Sequence, residues 1–158
     1  MLSVYVAVEG AESFKALESN YYVVHPQLLK EYNNRWFLIC WHKHKVMNLA
    51  LDRIIGIETD EKTDYQDKNV NADDYFSEVI GVTISERQRC QNVFFKVVKA
   101  HAPYVITKPF HHSQVVVDED QSGTTFRICV QLNFELERMI LGLGEFITVL
   151  GPKIEKKN

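Results

Sequence analysis

Residues 33 to 54 read NNRWFLICWHKHKVMNLALDRI. From Trp36 to Trp41 every residue is apolar or aromatic, and the two asparagines before them are turn formers, so the stretch predicts a strand over residues 35 to 42. The basic quartet HKHK at 42 to 45 then reads as a charged hairpin tip leading into a second strand, VMNLAL at 46 to 51. Alternation places Trp36, Leu38, Cys40 and His42 on one face of the first strand and Arg35, Phe37, Ile39 and Trp41 on the other. At most one of those faces can fill an interior. Short β-rich runs near Leu2 to Val8, at 21 to 24 (YYVV) and at 54 to 58 (IIGIE) bring the number of strands to five, which suggests a small barrel. The segment HPQLLKEYNN, 25 to 34, is expected to interrupt them as a turn or short helix, because Pro26 lacks the N–H that a strand ladder uses.

Outward from this core the composition changes. Residues 58 to 74, ETDEKTDYQDKNVNADD, are acidic and show no apolar periodicity, so residues 61 to 74 read as a linker or long loop. It separates a first unit, residues 1 to 60, from a second, residues 75 to 158. The exit from the linker reads as a short helix, DYFSEVI, capped by Asp73, with Phe76, Val79 and Ile80 on one face and Gly81 as its left-handed stop. NVFFKVV (92 to 98) follows as a strand, HAPYVITK as a helix with Pro103 in its first turn, and HHSQVVV and TTFRICVQL as a hairpin about DEDQSG. Asn133 is placed to cap FELERMILGL, whose Leu136, Met139, Ile140 and Leu143 recur at helical spacing, and FITVL closes as a strand. The order β-α-β-β-α-β is the split pattern of a ferredoxin-like sandwich. In such a sandwich Phe126, Ile128, Val130 and Leu132 face the helices, while Thr125, Arg127, Cys129 and Gln131 fall on the freer face.

With 158 residues, 46% of them hydrophobic, the chain can bury a core in one ordinary domain or two small ones. No apolar run has the length of a membrane-spanning helix, and MLSVYVAVEGAES lacks the pattern of a signal peptide, so a cytoplasmic location without membrane association is expected. A net charge of -3 gives no general attraction to a polyanion, so nucleic-acid binding would require a local basic patch. Cys40, Cys90 and Cys129 are odd in number and far apart in sequence, and read as reduced, half-buried residues. No histidine stands with cysteine or carboxylate at ligand spacing, so neither a metal nor another cofactor is expected. Nor is catalysis: no serine lies in a nucleophile elbow, GLGEF puts its glycines after a helix instead of before one, and Glu135 and Glu137 fall on different helix faces.

The stretch HPQLLKEYNNRWFLICWHKHKVMNLALDRI resembles the core of a WYL domain, a bacterial regulatory module named for a Trp-Tyr-Leu triplet matched here by Trp36, Phe37 and Leu38. YFSEVIGVTISE, PFHHSQVV and NFELERMILGLGEFITVLGP are similar to the carboxy-terminal extension that follows WYL domains, so the resemblance spans the chain from about Ser13 onward. It implies an Sm-like β-barrel followed by a ferredoxin-like extension, in mixed β and α+β architecture. Two departures bear on the site: Phe37 lacks the hydroxyl of the family's tyrosine, and Ala50 stands where many members have an arginine. These regulators usually carry an amino-terminal helix-turn-helix that reads DNA, and this chain offers no stretch for one, so DNA contact is expected only through such a missing region.

Function follows from the resemblance as an expectation: a ligand-sensing module of a WYL-type transcriptional regulator, binding single-stranded nucleic acid or a nucleotide and forming a homodimer through the extension. Arg35 and Arg53 are the candidates for phosphate, with His25, Asn48 and Phe37 as neighbours in the site. For Trp36 and Leu38 two roles are open, filling the barrel or presenting an aromatic surface to bases, and the core role is the expectation. Arg127 and Gln131 mark the freer sheet face as a dimer surface. A protein-interaction scaffold with no small effector is the competing expectation.

Overall fold

The computed structural model describes residues 3 to 8 and 20 to 152. They form two compact units, Met1–Tyr75 and Phe76–Asn158, and are mostly antiparallel β-sheet with few and short helices. None of those helices is long and apolar enough to cross a membrane.

The first unit is a five-stranded sheet of β1 (Ser3–Val8), β2 (Asn20–Tyr32), β3 (Arg35–His42), β4 (Lys45–Ala50) and β5 (Ile54–Asp60), in the order β4-β3-β2-β1-β5. β2 does not stop at Pro26, contrary to the sequence expectation; it continues through the proline for 13 residues in all. The reason is a bulge. Pro26 stands opposite Cys40 and Leu28 opposite Ile39, so Gln27 is one residue too many for the ladder. A proline at a bulge costs little, because regular pairing is already interrupted there. Asn33 and Asn34, both at positive φ (52° and 63°), make the tight turn from β2 to β3, a conformation asparagine tolerates better than most residues. On the inner face, Val24, Leu38, Cys40 and Leu49 form a small buried cluster against Tyr22, Met47 and Ile54.

The second unit carries β6 (Gln91–Val98), α2 (Ala102–Thr107), β7 (Val115–Asp120), β8 (Gly123–Val130), α3 (Phe134–Gly142) and β9 (Ile147–Gly151). Its sheet has the order β7-β8-β6-β9, with every neighbouring pair antiparallel. Alternation along β6 and β8 gives one face to the core: Val93, Phe95, Val97, Phe126, Ile128 and Val130 join Val105 of α2 and Leu136 of α3. Phe95 stacks between Phe110 and Phe126 at centroid distances of 5.3 and 5.5 Å. Asn133 caps α3 through its side-chain oxygen, which accepts from the Leu136 N–H at 2.9 Å.

The helix expected over residues 74 to 80 is instead a single turn, α1 (Ala72–Tyr75). Its cap is Asn71, whose side chain accepts from the N–H groups of Asp73 and Asp74, and Asp73 does not serve that role. Phe76, Val79 and Ile80 are buried all the same, carried inward by turns. Gly81 does adopt the left-handed conformation (φ +83°), and a Cβ there would meet the Glu135 side chain at 2.6 Å, so both backbone and space require glycine.

Candidate ligand-binding face

Paired residues on neighbouring strands share a sheet face. Across β2, β3 and β4 the register sets Tyr32 beside Arg35, Lys30 beside Phe37 and Ala50, Leu28 beside Ile39 and Asn48, and His25 beside Trp41 and Val46. Arg35, Phe37, Asn48 and His25 therefore stand on one face, opposite the Leu38–Cys40 core. They do not form one pocket. Arg35 and Trp41 are six positions apart on β3, about 20 Å at the rise of a strand, so the Arg35 and His25 ends are separate sites.

The His25 end is closed. His25 is 5% exposed, its Nδ1 accepts from the Gln66 N–H at 3.3 Å, and the Tyr65 ring meets it edge-on at 6.1 Å. Tyr65 donates its hydroxyl to the Pro26 carbonyl at 2.6 Å. The bulged Gln27 holds the same segment from both sides of its amide: its nitrogen donates to the carbonyls of His25 and Gln66, each at 2.9 Å, and its oxygen accepts from the Lys68 N–H at 2.8 Å. Lys68 in turn places its ammonium 4.8 Å from the Trp41 ring centroid. The acidic stretch read as a linker is thus laid across the sheet over this end. Burial, then the nearby Lys68, hold the imidazole of His25 below its usual pKa, with Asp60 opposing. His25 is covered by this segment and packs the face.

The Arg35 end is open. Arg35 Nη2 lies 3.0 Å from Asp52 Oδ2, and both side chains are half exposed. Asp52 belongs to a short 3-10 turn, Leu51–Arg53, that follows β4, and the turn gives Asp52 to Arg35 rather than to its neighbour in sequence. Arg53 is exposed, and among the described residues it joins no ion pair. Phe37 and Asn48 are half-buried beside Ile39, which is fully buried.

Trp36 departs from expectation. It is 50% exposed, whereas Leu38, two residues on and on the same face, is 8% exposed. Trp36 pairs with Glu31, one step from the Asn33–Asn34 turn, beyond the reach of the small inner cluster. Leu38 is core and Trp36 is surface.

The sequence reading missed a shallow cleft of about 370 Å³ at the tip of the β3–β4 hairpin, lined by Tyr22, His42, Lys43, His44, Lys45 and Met47. His42 donates from Nδ1 to the Val23 carbonyl at 2.8 Å and meets the Tyr22 ring edge-on, which orients one wall of the cleft. HKHK was the available signal, but a charged hairpin tip explains the same letters.

In the second unit Arg127 is exposed on the face opposite Phe126. Gln131 is not on that face. It is 6% exposed and lies just past β8, where its Oε1 accepts from the Ser85 N–H at 2.9 Å and its own N–H donates to the Glu78 carbonyl at 2.7 Å. It braces the irregular segment before β6; the alternation read in the sequence runs past Val130, the true end of β8, and so assigns Gln131 to the wrong side.

No protein-family model matches this chain, and no curated protein matches it either. Among solved structures it is similar to proteasome accessory factor B/C (PafBC) of Arthrobacter aurescens, at 16% identity and a TM-score of 0.34 over 96% of this chain. The chain spans 22% of that protein's length.

Proposed function

We propose that this chain is the effector-sensing part of a WYL-type transcriptional regulator, its first unit an Sm-like barrel and its second a ferredoxin-like extension. The observation that carries the reading is the strand register that sets Arg35 and Phe37 side by side on one face, with the exposed Arg53 in the turn that supplies Asp52 to Arg35. Two guanidinium groups beside an aromatic ring suit a phosphate and a stacked base, the combination presented by single-stranded nucleic acid or a nucleotide. Asn48 supplies amide hydrogen bonding at the inner edge of that surface, and Trp36 is a second aromatic group at the same end of β3, on its other face. The Arg35–Asp52 pair is half exposed, so a phosphate can compete for the arginine at small cost. The strand orders β4-β3-β2-β1-β5 and β7-β8-β6-β9 support the fold assignments.

Fluorescence anisotropy with a labelled short single-stranded oligonucleotide tests the reading. Binding should weaken as salt is added, since phosphate contacts release counterions, and Arg35→Ala and Arg53→Ala should each weaken it further. Unchanged binding in both variants rejects this site. Loss of binding in a Lys43→Ala, Lys45→Ala double variant alone would move the site to the hairpin-tip cleft.

A second reading, assembly without a small effector, is favoured by the edge strand β7, where Val115, Val116 and Val117 are 41 to 52% exposed. Light scattering at tens of micromolar distinguishes it: a dimer that forms identically with and without oligonucleotide, in a protein that binds none, favours the scaffold.

A further inference from the structure

Cys90 and Cys129 are 39 residues apart in sequence, yet their sulfurs share a hydrogen bond at 2.7 Å. The β6–β8 register explains the meeting. Asn92 pairs with Cys129, and Cys90, two residues before Asn92, falls on the same side of the sheet just ahead of β6. Both thiols are partly exposed, whereas Cys40 lies wholly inside the first unit with its thiol against the Met47 carbonyl.

Each side of the pair is held. The Cys129 N–H donates to Ser113 Oγ at 2.8 Å, and that serine is fixed in turn by His111 Nδ1 at 2.8 Å. On the other side, the irregular run from Gly81 to Cys90 is held to the rest of the unit by polar contacts: the Val82 and Thr83 N–H groups and the Thr83 hydroxyl donate to Glu135, and Ser85 donates to Gln131. The run passes directly into Gln91 of β6, and in the dithiol form no cross-link ties Cys90 itself to β8.

We propose that Cys90 and Cys129 form a reversible dithiol–disulfide site that locks the segment preceding β6 onto β8. Oxidation removes one proton and one electron from each thiol and joins the sulfurs. With a small disulfide as oxidant, a cysteine thiolate attacks one of its sulfurs and expels a thiolate; the second cysteine then attacks the mixed disulfide and releases the other thiol. With hydrogen peroxide, a sulfenic acid forms with loss of water, and the neighbouring thiol displaces a second water. The shared hydrogen bond, then burial, keep the Cys90 thiol protonated, pushing its pKa up to about 11, so exchange should quicken as pH rises.

The test uses the full chain. It is incubated with oxidised dithiothreitol or hydrogen peroxide, then examined by thiol counting after unfolding, by peptide mapping without reductant, and by thermal melting. The expected result is the loss of two of three thiols, one linked peptide joining Cys90 to Cys129, a free Cys40, and a melting temperature raised by at least about 5 °C and restored by reductant. Cys90→Ser and Cys129→Ser should each abolish the rise, and Cys40→Ser should keep it. Three thiols surviving either oxidant, a link through Cys40 or between two chains, or a melting temperature unmoved or lowered by the bond would each overturn the proposal.

Discussion

The two sheets exclude water in different ways. In the second unit Phe95, Val97, Phe126, Ile128 and Val130 are all completely buried on the one face that meets α2 and α3. In the first unit the completely buried residues lie on both faces: Val24 and Cys40 belong to the inner cluster, and Ile39 points the other way. One sheet has a core and an outside. The other has a small core and a second face partly roofed by a polar loop, which leaves an uncovered end where Arg35 and Arg53 sit.

The sharpest way to break this contrast is to remove the centre of the one-sided core. Phe126→Ala deletes a ring stacked on Phe95, and is expected to cost about 3 to 5 kcal/mol in chemical denaturation. In the first unit Leu38→Ala should cost about 2 to 5 kcal/mol, while Trp36→Ala, at the exposed end of the same face, should stay within about 0.5 kcal/mol. Equal losses for Leu38 and Trp36 would return the tryptophan to the core.

The same contrast decides what could be read from the sequence. β8 alternates from Thr124 onward, so Phe126, Ile128 and Val130 were legible as core from letters alone, as was the Asn133 cap. β2 was not legible. Its pattern is broken by Pro26 and shifted by the bulge, and the hydrogen bonds that roof His25 run from Gln27 to residues 39 and 41 positions away. Contacts from one side chain to distant backbone leave no periodicity. The candidate site was legible as residue types, and the register then separated them: His25 went under the loop, Arg35 and Arg53 stayed outside, and Asp52 chose Arg35. The thiol pair was invisible for a similar reason, because spacing in sequence says nothing about strands that become neighbours.

The roof can be tested by loosening its clamp. Gln27→Ala removes the hydrogen bonds to the backbone of Gln66 and Lys68, and should cost about 1 to 2 kcal/mol. Hydrogen exchange should quicken at Gln66 and Lys68 while β6 and β8 keep their protection. Uniform quickening in both units would mean that the loop is not a separate roof.

A smaller effect is expected from pH. Burial lowers the folded-state pKa of His25 beneath the value of 6.5 it has when unfolded, and burial, then His112, do the same for His111. The unfolded chain therefore takes up protons before the folded one does. Stability from these groups is complete above about pH 6.5 and is lost as pH falls below it towards the folded-state values. His25→Phe should flatten the fall in the first unit, and His111→Phe in the second, each followed by denaturation between pH 5 and 8. A fall on the alkaline side instead would reverse the sign and remove burial as the cause.

The smallest effect on stability is expected at Arg35, on which the proposed binding most depends. Arg35 and Asp52 are each half exposed, and an exposed ion pair of this kind contributes about 0 to 1 kcal/mol, because water screens the charges and ordering two side chains offsets the gain. Arg35→Ala should accordingly melt within a few degrees of the parent. Its consequence should appear in the oligonucleotide titration, where loss of one phosphate contact lowers the magnitude of the salt slope by about 0.7 for a single strand. Asp52→Asn provides the opposite arm: it frees the guanidinium, so it should leave stability equally unaffected and tighten oligonucleotide binding. A variant at Asp52 that weakens binding would show that the carboxylate holds Arg35 in a productive position instead of competing for it.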